Sequence, residues 1–215
     1  MEQRRDSATA YIILADGFET IEALTPLDVL RRCGVEVTTI SLNKTRAVRS
    51  SHGVTVEADA TMEEYMLKRS NAGSSSSAGS STTASSANTT AGSCPRQALI
   101  LPGGYPGYKN LCESAEVGAL ITQFHKEGKL LCAICGAPTA LKANQICRGA
   151  AITCHTSVKE ELSDYYSILS SAVVKYMNII TGMGAGRSLD FAFAIAESLT
   201  SKEKVEEIKA KMEII

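Results

Sequence analysis

Residues 129–139 read KLLCAICGAPT and predict a strand, a sharp turn and a helix in immediate succession. The apolar run 130–134 has the length of a buried strand, and Pro138 is typical of the first turn of a helix. Cys135 lies between the two elements, where the following Gly136 is small enough to let the chain turn tightly. This layout is that of a nucleophile elbow, in which a reactive side chain projects from the end of a strand.

The thiol of Cys135 has two interpretations. The N-terminus of the following helix favours negative charge, so at an elbow we expect a reactive thiolate with a pKa well below its free value of about 8.5. The alternative is a buried strand cysteine without a chemical role. Cys132 and Cys135 also form a C-x-x-C pair. A redox or zinc site is disfavoured, because a strand residue and an exit residue need not face each other and the chain has no second C-x-x-C.

Other apolar segments have the pattern of a parallel sheet covered by helices. Further strands are predicted at residues 10–15, 35–42, 97–101, 151–154, 173–177 and 179–181. Between the first two, Ala23, Leu27 and Leu30 repeat at helical spacing, and Gly34 is a helix stop. This β-α-β order predicts an α/β fold with helices on the faces of a mostly parallel sheet.

The remaining segments complete the predicted fold. They are a hairpin or edge strands at 48–60, a short helix at 62–68, an amphipathic helix around 117–124, and closing helices around 189–196 and at 201–212. The GMGAG run at 182–186 resembles a dinucleotide loop only superficially, because the full glycine fingerprint is missing. We interpret it as a tight turn before the closing helices.

Composition limits the possible functions. The net charge of −1 and the absence of a basic stripe argue against nucleic-acid binding. The longest apolar runs are too short to span a bilayer, and the first ten residues lack the apolar core of a signal peptide, so we expect a cytoplasmic protein. The seven cysteines, an odd number without a framework, are expected to be reduced thiols.

One long segment lacks the residues that build a core. Residues 70–95 consist almost entirely of Ser, Thr, Ala, Gly and Asn, with no charged or aromatic side chain. Such a segment buries too little apolar surface to offset its ordering entropy, so we expect a disordered insertion in a single domain spanning residues 1–215. A phosphorylated or glycosylated regulatory segment is the alternative.

Several polar groups follow the predicted strands at their carboxyl ends, where open α/β sheets bind ligands. They are the carboxylates of 16–22, the amides of Gly103 and Gly104, the thiol of Cys135 and the imidazole of His155. Of the three histidines, only His155 directly follows a predicted buried strand. His125 lies in a charged helix end, and we expect it to be merely solvated.

Five segments together resemble the ThiJ/PfpI superfamily and, within it, the protein deglycase branch. They are ADGFETIEALTPLDVLRRCGVEVT at 15–38, LPGG at 101–104, NLCESAEV at 110–117, AICGAPTAL at 133–141 and TCH at 153–155. The resemblance covers essentially the whole chain apart from the Ser-rich segment. It implies a flavodoxin-like three-layer sandwich and a homodimer, and it implies chemistry that requires neither a metal nor a cofactor.

The resemblance also implies roles for individual residues. The family's nucleophile is the elbow cysteine, which matches Cys135, and the acid that hydrogen-bonds it matches Glu22 in an E-x-x-T-P-x-D pattern ending at Asp28. The family's histidine near the thiol matches His155. Because burial would keep the acid protonated, we expect Glu22 to have a raised pKa.

The residues expected to contact the substrate match the family pattern less closely. The family's amide donors match Gly104 and Gly136, and we group Gly103 and His52 with them as oxyanion or substrate contacts. His52 stands where relatives carry an arginine near the dimer interface. The family's usual G-P-G before the last helix is here the sequence GAG at 184–186.

Three functions fit these residues. The first is a glutathione-independent glyoxalase and protein deglycase, in which Cys135 attacks the aldehyde of methylglyoxal or glyoxal, or their early adducts, and Glu22 with His155 moves the protons. The second is a redox-responsive chaperone or sensor in which Cys135 is oxidised to a sulfinate. The third, a cysteine peptidase or amidotransferase, is disfavoured because no acid is placed by sequence to orient His155.

Overall fold

The computed structural model describes residues 8–74 and 97–214. The strands are β1 Thr9–Leu14, β2 Glu36–Ser41, β3 Ala47–Arg49, β4 Thr55–Glu57, β5 Ala60–Thr61, β6 Gln97–Leu101, β7 Leu130–Ile134, β8 Ala151–Ile152, β9 Ser167–Ile168, β10 Val173–Tyr176 and β11 Ile179–Gly182. The helices are α1 Thr20–Arg32, α2 Met62–Ser74, α3 Gly107–Glu113, α4 Ala115–Lys126, α5 Pro138–Ala143, α6 Lys159–Ser163, α7 Ser188–Leu199 and α8 Lys202–Lys211. Within the described ranges, no helix is long and apolar enough to cross a bilayer.

Seven strands form the central sheet, in the order β10-β11-β7-β6-β1-β2-β5. Neighbours run parallel except at one edge, where β10 pairs antiparallel with β11. The predicted mostly parallel α/β sheet is therefore confirmed. Leu101 of β6 pairs with Ala133 of β7, so Gly103 and Cys135, each two residues further along the chain, leave the sheet at the same edge.

Helices cover both faces of this sheet, which explains the continuous apolar runs. Ile12 and Leu14 belong to the core shared with α1, α7 and α8, whereas Ile13 belongs to the core shared with α2, α4 and α5. Side chains alternate along a strand, so a strand between two helical layers is apolar at every position. The three-layer, flavodoxin-like architecture is confirmed.

Some elements differ from the sequence prediction. The hairpin at 48–60 is confirmed as β3 and β4, but β5 joins the central sheet. The strand predicted at 151–154 is only the two-residue β8, which pairs with β9 outside the central sheet. A short apolar run does not reveal its partner, because strand pairing is a long-range contact.

The start of the predicted insertion is also different. Helix α2 extends to Ser74, so residues 70–74 are helical. Ser70 Oγ donates to the Met66 carbonyl at 3.0 Å, and the guanidinium of Arg69 donates to Gln123 at 2.8 Å. The helix therefore continues past residue 68, the end that the sequence predicts for it. The rest of the predicted insertion lies outside the described residues.

Candidate active site

Cys135 occupies a left-handed turn directly after β7. Its φ of 65° costs a residue with a Cβ about 1–2 kcal/mol. The turn is fixed on both sides, because the Cys135 N–H donates to the Gly182 carbonyl at 3.0 Å and its carbonyl accepts from the His155 N–H at 2.9 Å. The backbone therefore has the geometry expected of a nucleophile elbow.

Glu22, in the first turn of α1, is fully buried although it is ionisable. Its Oε2 accepts a hydrogen bond of 2.9 Å from the Gly103 N–H, and its carboxyl group interacts with the Cys135 side chain. Its Oε1 is buried without a hydrogen-bond partner among the described residues, which favours the protonated acid. Burial raises the pKa of Glu22 to about 7, and the carboxylate of Glu19 adds to the rise, whereas the hydrogen bonds to Cys135 and Gly103 oppose it. The expected raised pKa is confirmed.

Gly103 is what allows these two side chains to approach each other. A Cβ at this position would lie 2.5 Å from Glu22 Oε2 and 2.6 Å from Cys135 Cβ, so a side chain would displace the pair. The N–H of Gly103 is already bonded to Glu22. Gly103 therefore supports the acid, and the substrate contact that we predict for it stays a prediction.

Two sets of neighbours shift the pKa of the Cys135 thiol in opposite directions. Burial and the neighbouring Glu22 carboxylate raise the pKa of its thiol to about 12, while hydrogen bonds from the backbone N–H groups of Gly104 and Gly136 lower it. The expected lowering of the thiol pKa is therefore wrong. The reason is first that the thiol is buried and second that it faces the Glu22 carboxylate, while α5 has only six residues to supply a dipole.

Glu22 and Cys135 titrate as a pair. Burial raises the pKa of both groups, and because they are hydrogen-bonded to each other, one proton serves the pair once the other has ionised. That proton lies either on sulfur, next to a carboxylate, or on Glu22, next to a thiolate. The second arrangement satisfies the buried acid and directs the thiolate at the N–H groups of Gly104 and Gly136, and it is the nucleophilic form.

His155 lies beside the elbow with an exposed side chain. It follows β8, which is not a strand of the central sheet. The hydrogen bond from its backbone N–H to the Cys135 carbonyl is what places it at the site. Its Nδ1 accepts from the Ser157 N–H at 3.2 Å and lies 2.8 Å from Ser157 Oγ. The neutral ring therefore carries its proton on Nε2, and Ser157 orients it.

His52 is not brought to Cys135 by any described contact within the chain. Its side chain is 69% exposed, and its Nδ1 lies 3.8 Å from Glu19 Oε1. Glu19 caps α1, because its Oε2 accepts from the Glu22 N–H at 2.7 Å. Glu19 thus links His52 to the site. The sequence placed Glu19 among the carboxylates of 16–22 but not as the cap of α1, whose signal is an acceptor side chain at a helix start.

Two aromatic rings near the elbow were also missed. The ring of Tyr108 fills the space beside Gly136, and Tyr105 is 72% exposed with its ring centre 6.3 Å from that of Tyr108. Their segment, PGGYPGY at 102–108, has the composition of a turn, which conceals both the helix α3 and the aromatic contact.

Other possible sites are less supported. Among the described residues, no group of three His, Cys, Asp or Glu side chains could hold a metal ion. Cys132 is fully buried in β7, and burial raises its pKa well above the ordinary value, which disfavours thiolate chemistry there. Two surface cavities of about 730 and 710 Å³ are lined by other residues than Cys135, so chemistry and not cavity size identifies this site.

The chain is similar to known proteins over most of its length. The DJ-1/PfpI family profile matches residues 8–198. Protein dj-1beta of Drosophila melanogaster is 34% identical over 203 residues, which cover 94% of this chain and 95% of that protein. The crystal structure of Drosophila melanogaster DJ-1beta gives a TM-score of 0.81 at 32% identity, covering 97% of this chain and 99% of that one. Glutathione-independent glyoxalase DJR-1.2 of Caenorhabditis elegans is 38% identical over 107 residues, or 49% of this chain and 56% of that protein. The chain belongs to the DJ-1/PfpI family.

Proposed function

We propose that the protein is a glutathione-independent glyoxalase and protein deglycase acting on methylglyoxal, glyoxal and their early adducts. The observation that carries the proposal is the contact of the buried Glu22 carboxyl group with the Cys135 side chain, whose sulfur accepts from the N–H groups of Gly104 and Gly136. Family membership and the name of the Caenorhabditis elegans relative support it.

The proposed reaction starts with the proton on Glu22 and the negative charge on Cys135. The sulfur bonds to the aldehyde carbon of methylglyoxal, and the carbonyl oxygen takes the proton of Glu22, which gives a hemithioacetal. The N–H groups of Gly104 and Gly136 stabilise the oxygen while it is negatively charged.

The next steps move a proton along the bound substrate. Glu22, now a carboxylate, removes the proton from the former aldehyde carbon and delivers it to the neighbouring carbon by way of an enediol. The hydroxyl proton of the hemithioacetal passes to the neighbouring carbonyl oxygen, with the exposed Nε2–H of His155 assisting, and a thioester C=O bond forms where the hydroxyl was. The product is a lactate thioester of Cys135. Water hydrolyses it, releasing lactate and restoring the pair. Glyoxal gives glycolate by the same steps.

The test is lactate formation from methylglyoxal without glutathione, in the wild type, Cys135→Ser and Cys112→Ser. Cys112 is a half-buried thiol on α3 without a role in the proposed reaction, so its variant is a matched control. We expect activity in the wild type and in Cys112→Ser and none in Cys135→Ser. A wild type that forms no lactate, or a Cys135→Ser variant that retains activity, would overturn the proposal.

The same contacts also favour a second function, oxidation of Cys135 to a sulfinate in a redox sensor or chaperone. A protonated Glu22 and the N–H groups of Gly104 and Gly136 are hydrogen-bond donors for sulfinate oxygens. Stoichiometric oxidation of Cys135 by peroxide in a protein without lactate formation would support this function over the first. A peptidase triad is not supported, since Ser157 and not a carboxylate binds His155 Nδ1.

We further propose a cytoplasmic homodimer. Ile21 on α1 is 48% exposed and Val54 in the β3–β4 hairpin is 45% exposed, while Leu24 and Leu27 of α1 are half-buried. Apolar side chains on α1 could be covered by the same surface of a second copy, as in a two-fold interface. The cysteines that the structure describes are free thiols, which persist in reducing compartments.

A further inference from the structure

Cys147 and His125 form a second thiol–imidazole contact, distinct from the Cys135 site. Cys147 Sγ lies 3.7 Å from His125 Nε2, although the residues are 22 positions apart in the chain. The loop between α5 and β8 brings Cys147 against the last turn of α4. His125 is therefore not merely solvated, as we had expected, but half-buried, with its Nδ1 fully buried.

The loop holds Cys147 in a conformation that cysteine seldom adopts. Its φ is 48°, in the left-handed region, where a Cβ costs about 1–2 kcal/mol. The neighbouring backbone is fixed, because the Tyr166 hydroxyl donates to the Ile146 carbonyl at 2.7 Å and the Gly149 N–H donates to the Tyr165 carbonyl at 2.8 Å. The thiol is thus kept in place against the imidazole.

One atom of the pair is buried without a partner. The Nδ1 of His125 has no hydrogen bond among the described residues, so Nε2, which faces the Cys147 sulfur, is the ring atom with a contact. Burial also raises the pKa of the Cys147 thiol. Of the neighbouring side chains, Tyr166 is buried and the Arg148 guanidinium stacks on the Tyr165 ring, with 5.5 Å between its central carbon and the ring centre. The 3.7 Å contact places His125 Nε2 where it can take the proton of the Cys147 thiol when an electrophile arrives.

We propose that Cys147 is a site of modification by peroxides, with His125 as the general base. Nε2 of His125 takes the Sγ proton as sulfur attacks one oxygen of hydrogen peroxide, so that an S–O bond forms and the O–O bond breaks. The leaving oxygen takes the proton from the imidazolium and departs as water. The sulfur is oxidised by two electrons to a sulfenic acid, the peroxide is reduced by two electrons, and His125 returns to its neutral form.

Cys112 provides an internal reference for the test. It is half-buried like Cys147, and burial likewise raises the pKa of its thiol, but no imidazole contacts it among the described residues. The full-length Cys135→Ser protein, which lacks the thiol of the candidate active site, is treated with hydrogen peroxide and dimedone, which traps sulfenic acids. Mass spectrometry then measures the labelling rate of each cysteine peptide separately.

We expect Cys147 to be labelled at least about tenfold faster than Cys112, because general-base assistance is typically worth 10²–10⁴-fold. Adding His125→Gln should remove most of this advantage and leave the Cys112 rate unchanged. Equal rates for the two cysteines, or a Cys147 rate that His125→Gln does not alter, would overturn the proposal. The first comparison needs no change at His125, so it decides the matter even if that variant does not fold.

Discussion

The ring of Tyr108 occupies the space into which a side chain on Gly136 would project. A Cβ at Gly136 would lie 2.7 Å from Tyr108 Cδ1, closer than real Cβ atoms come to such neighbours. The N–H of Gly136 faces the Cys135 sulfur, so the ring also confines the peptide that supplies a donor to the candidate site. This contact can be tested by adding a methyl group at Gly136 and removing the ring at Tyr108.

We expect Gly136→Ala to lower the free energy of unfolding by about 1–3 kcal/mol, as overpacking does, and to slow lactate formation. Adding Tyr108→Ala should recover part of both losses, since it opens the space that the methyl group needs; a coupling of about 0.5–3 kcal/mol is typical of residues in contact. Denaturant unfolding and initial rates measure the two effects. Gly186→Ala is the control, because a Cβ there meets nothing within 4 Å. Simple additivity of the two substitutions would mean that the contact is not the cause.

Glu22→Gln should separate thiol reactivity from turnover. The amide side chain keeps an acceptor for the Gly103 N–H and a donor for the sulfur, but it removes both the carboxylate that raises the Cys135 thiol pKa and the transferable proton. We therefore expect alkylation of Cys135 to begin at lower pH than in the wild type. Lactate formation should fall by about 10²–10⁴-fold, the usual contribution of a general acid–base group.

Glu22→Ala is the comparison for that variant, because it removes the donor as well as the charge. Its Cys135 should be alkylated more slowly at a given pH than that of Glu22→Gln. If the Gln variant formed lactate at the wild-type rate, Glu22 would not be the proton carrier.

Local patterns were sufficient to predict most of the sheet and the elbow. The strand β7 and the start of α5 follow from an apolar run that ends at Cys135 and from Pro138. Helix α3 was missed, because its first residues, Gly107 and Tyr108, follow a Pro-Gly-rich segment typical of turns. The position of β8 was missed because nothing in a short apolar segment specifies which strand it pairs with.

The candidate site, like the fold, could be predicted from the sequence only in part. Cys135 and Glu22 could be identified from motifs, but the role of Gly103 depends on how closely two distant side chains approach across the sheet edge. The link from His52 through Glu19 depends on where a hairpin lies against the start of α1. Such contacts depend on tertiary packing, which local propensity does not encode.

The proposed dimer can be tested at α1. Replacing Ile21, which is 48% exposed, with Glu would place a charge in the proposed interface and should convert the dimer to a monomer at micromolar concentration in sedimentation velocity. Leu67→Glu is the control, since Leu67 is 58% exposed on α2 and outside the proposed surface. A wild-type monomer would contradict the dimer, and an Ile21→Glu dimer would exclude this part of α1 from the interface.

Stability should depend on pH through Glu22, and the sign follows from its raised pKa. The pKa is about 7 in the folded protein against an ordinary value of 4.5, so between these values the folded state binds more protons than the unfolded state. The stabilising contribution of the protonated acid is therefore complete below about pH 4.5, declines as pH rises, and is lost above about 7. A shift of this size corresponds to about 3 kcal/mol.

Glu22→Gln does not titrate and should lack this decline. We expect the stability of the Gln variant relative to the wild type to increase by about 3 kcal/mol between pH 4.5 and 7.5, as measured by urea unfolding at several pH values. Glu116→Gln is the control, because Glu116 is exposed and hydrogen bonds from its own N–H and from Ser114 lower its pKa, so it is already ionised throughout this range. A constant difference between Glu22→Gln and the wild type would show that Glu22 ionises in the folded protein as readily as in the unfolded chain, and Glu22 would then not be the acid that holds the proton in the proposed mechanism.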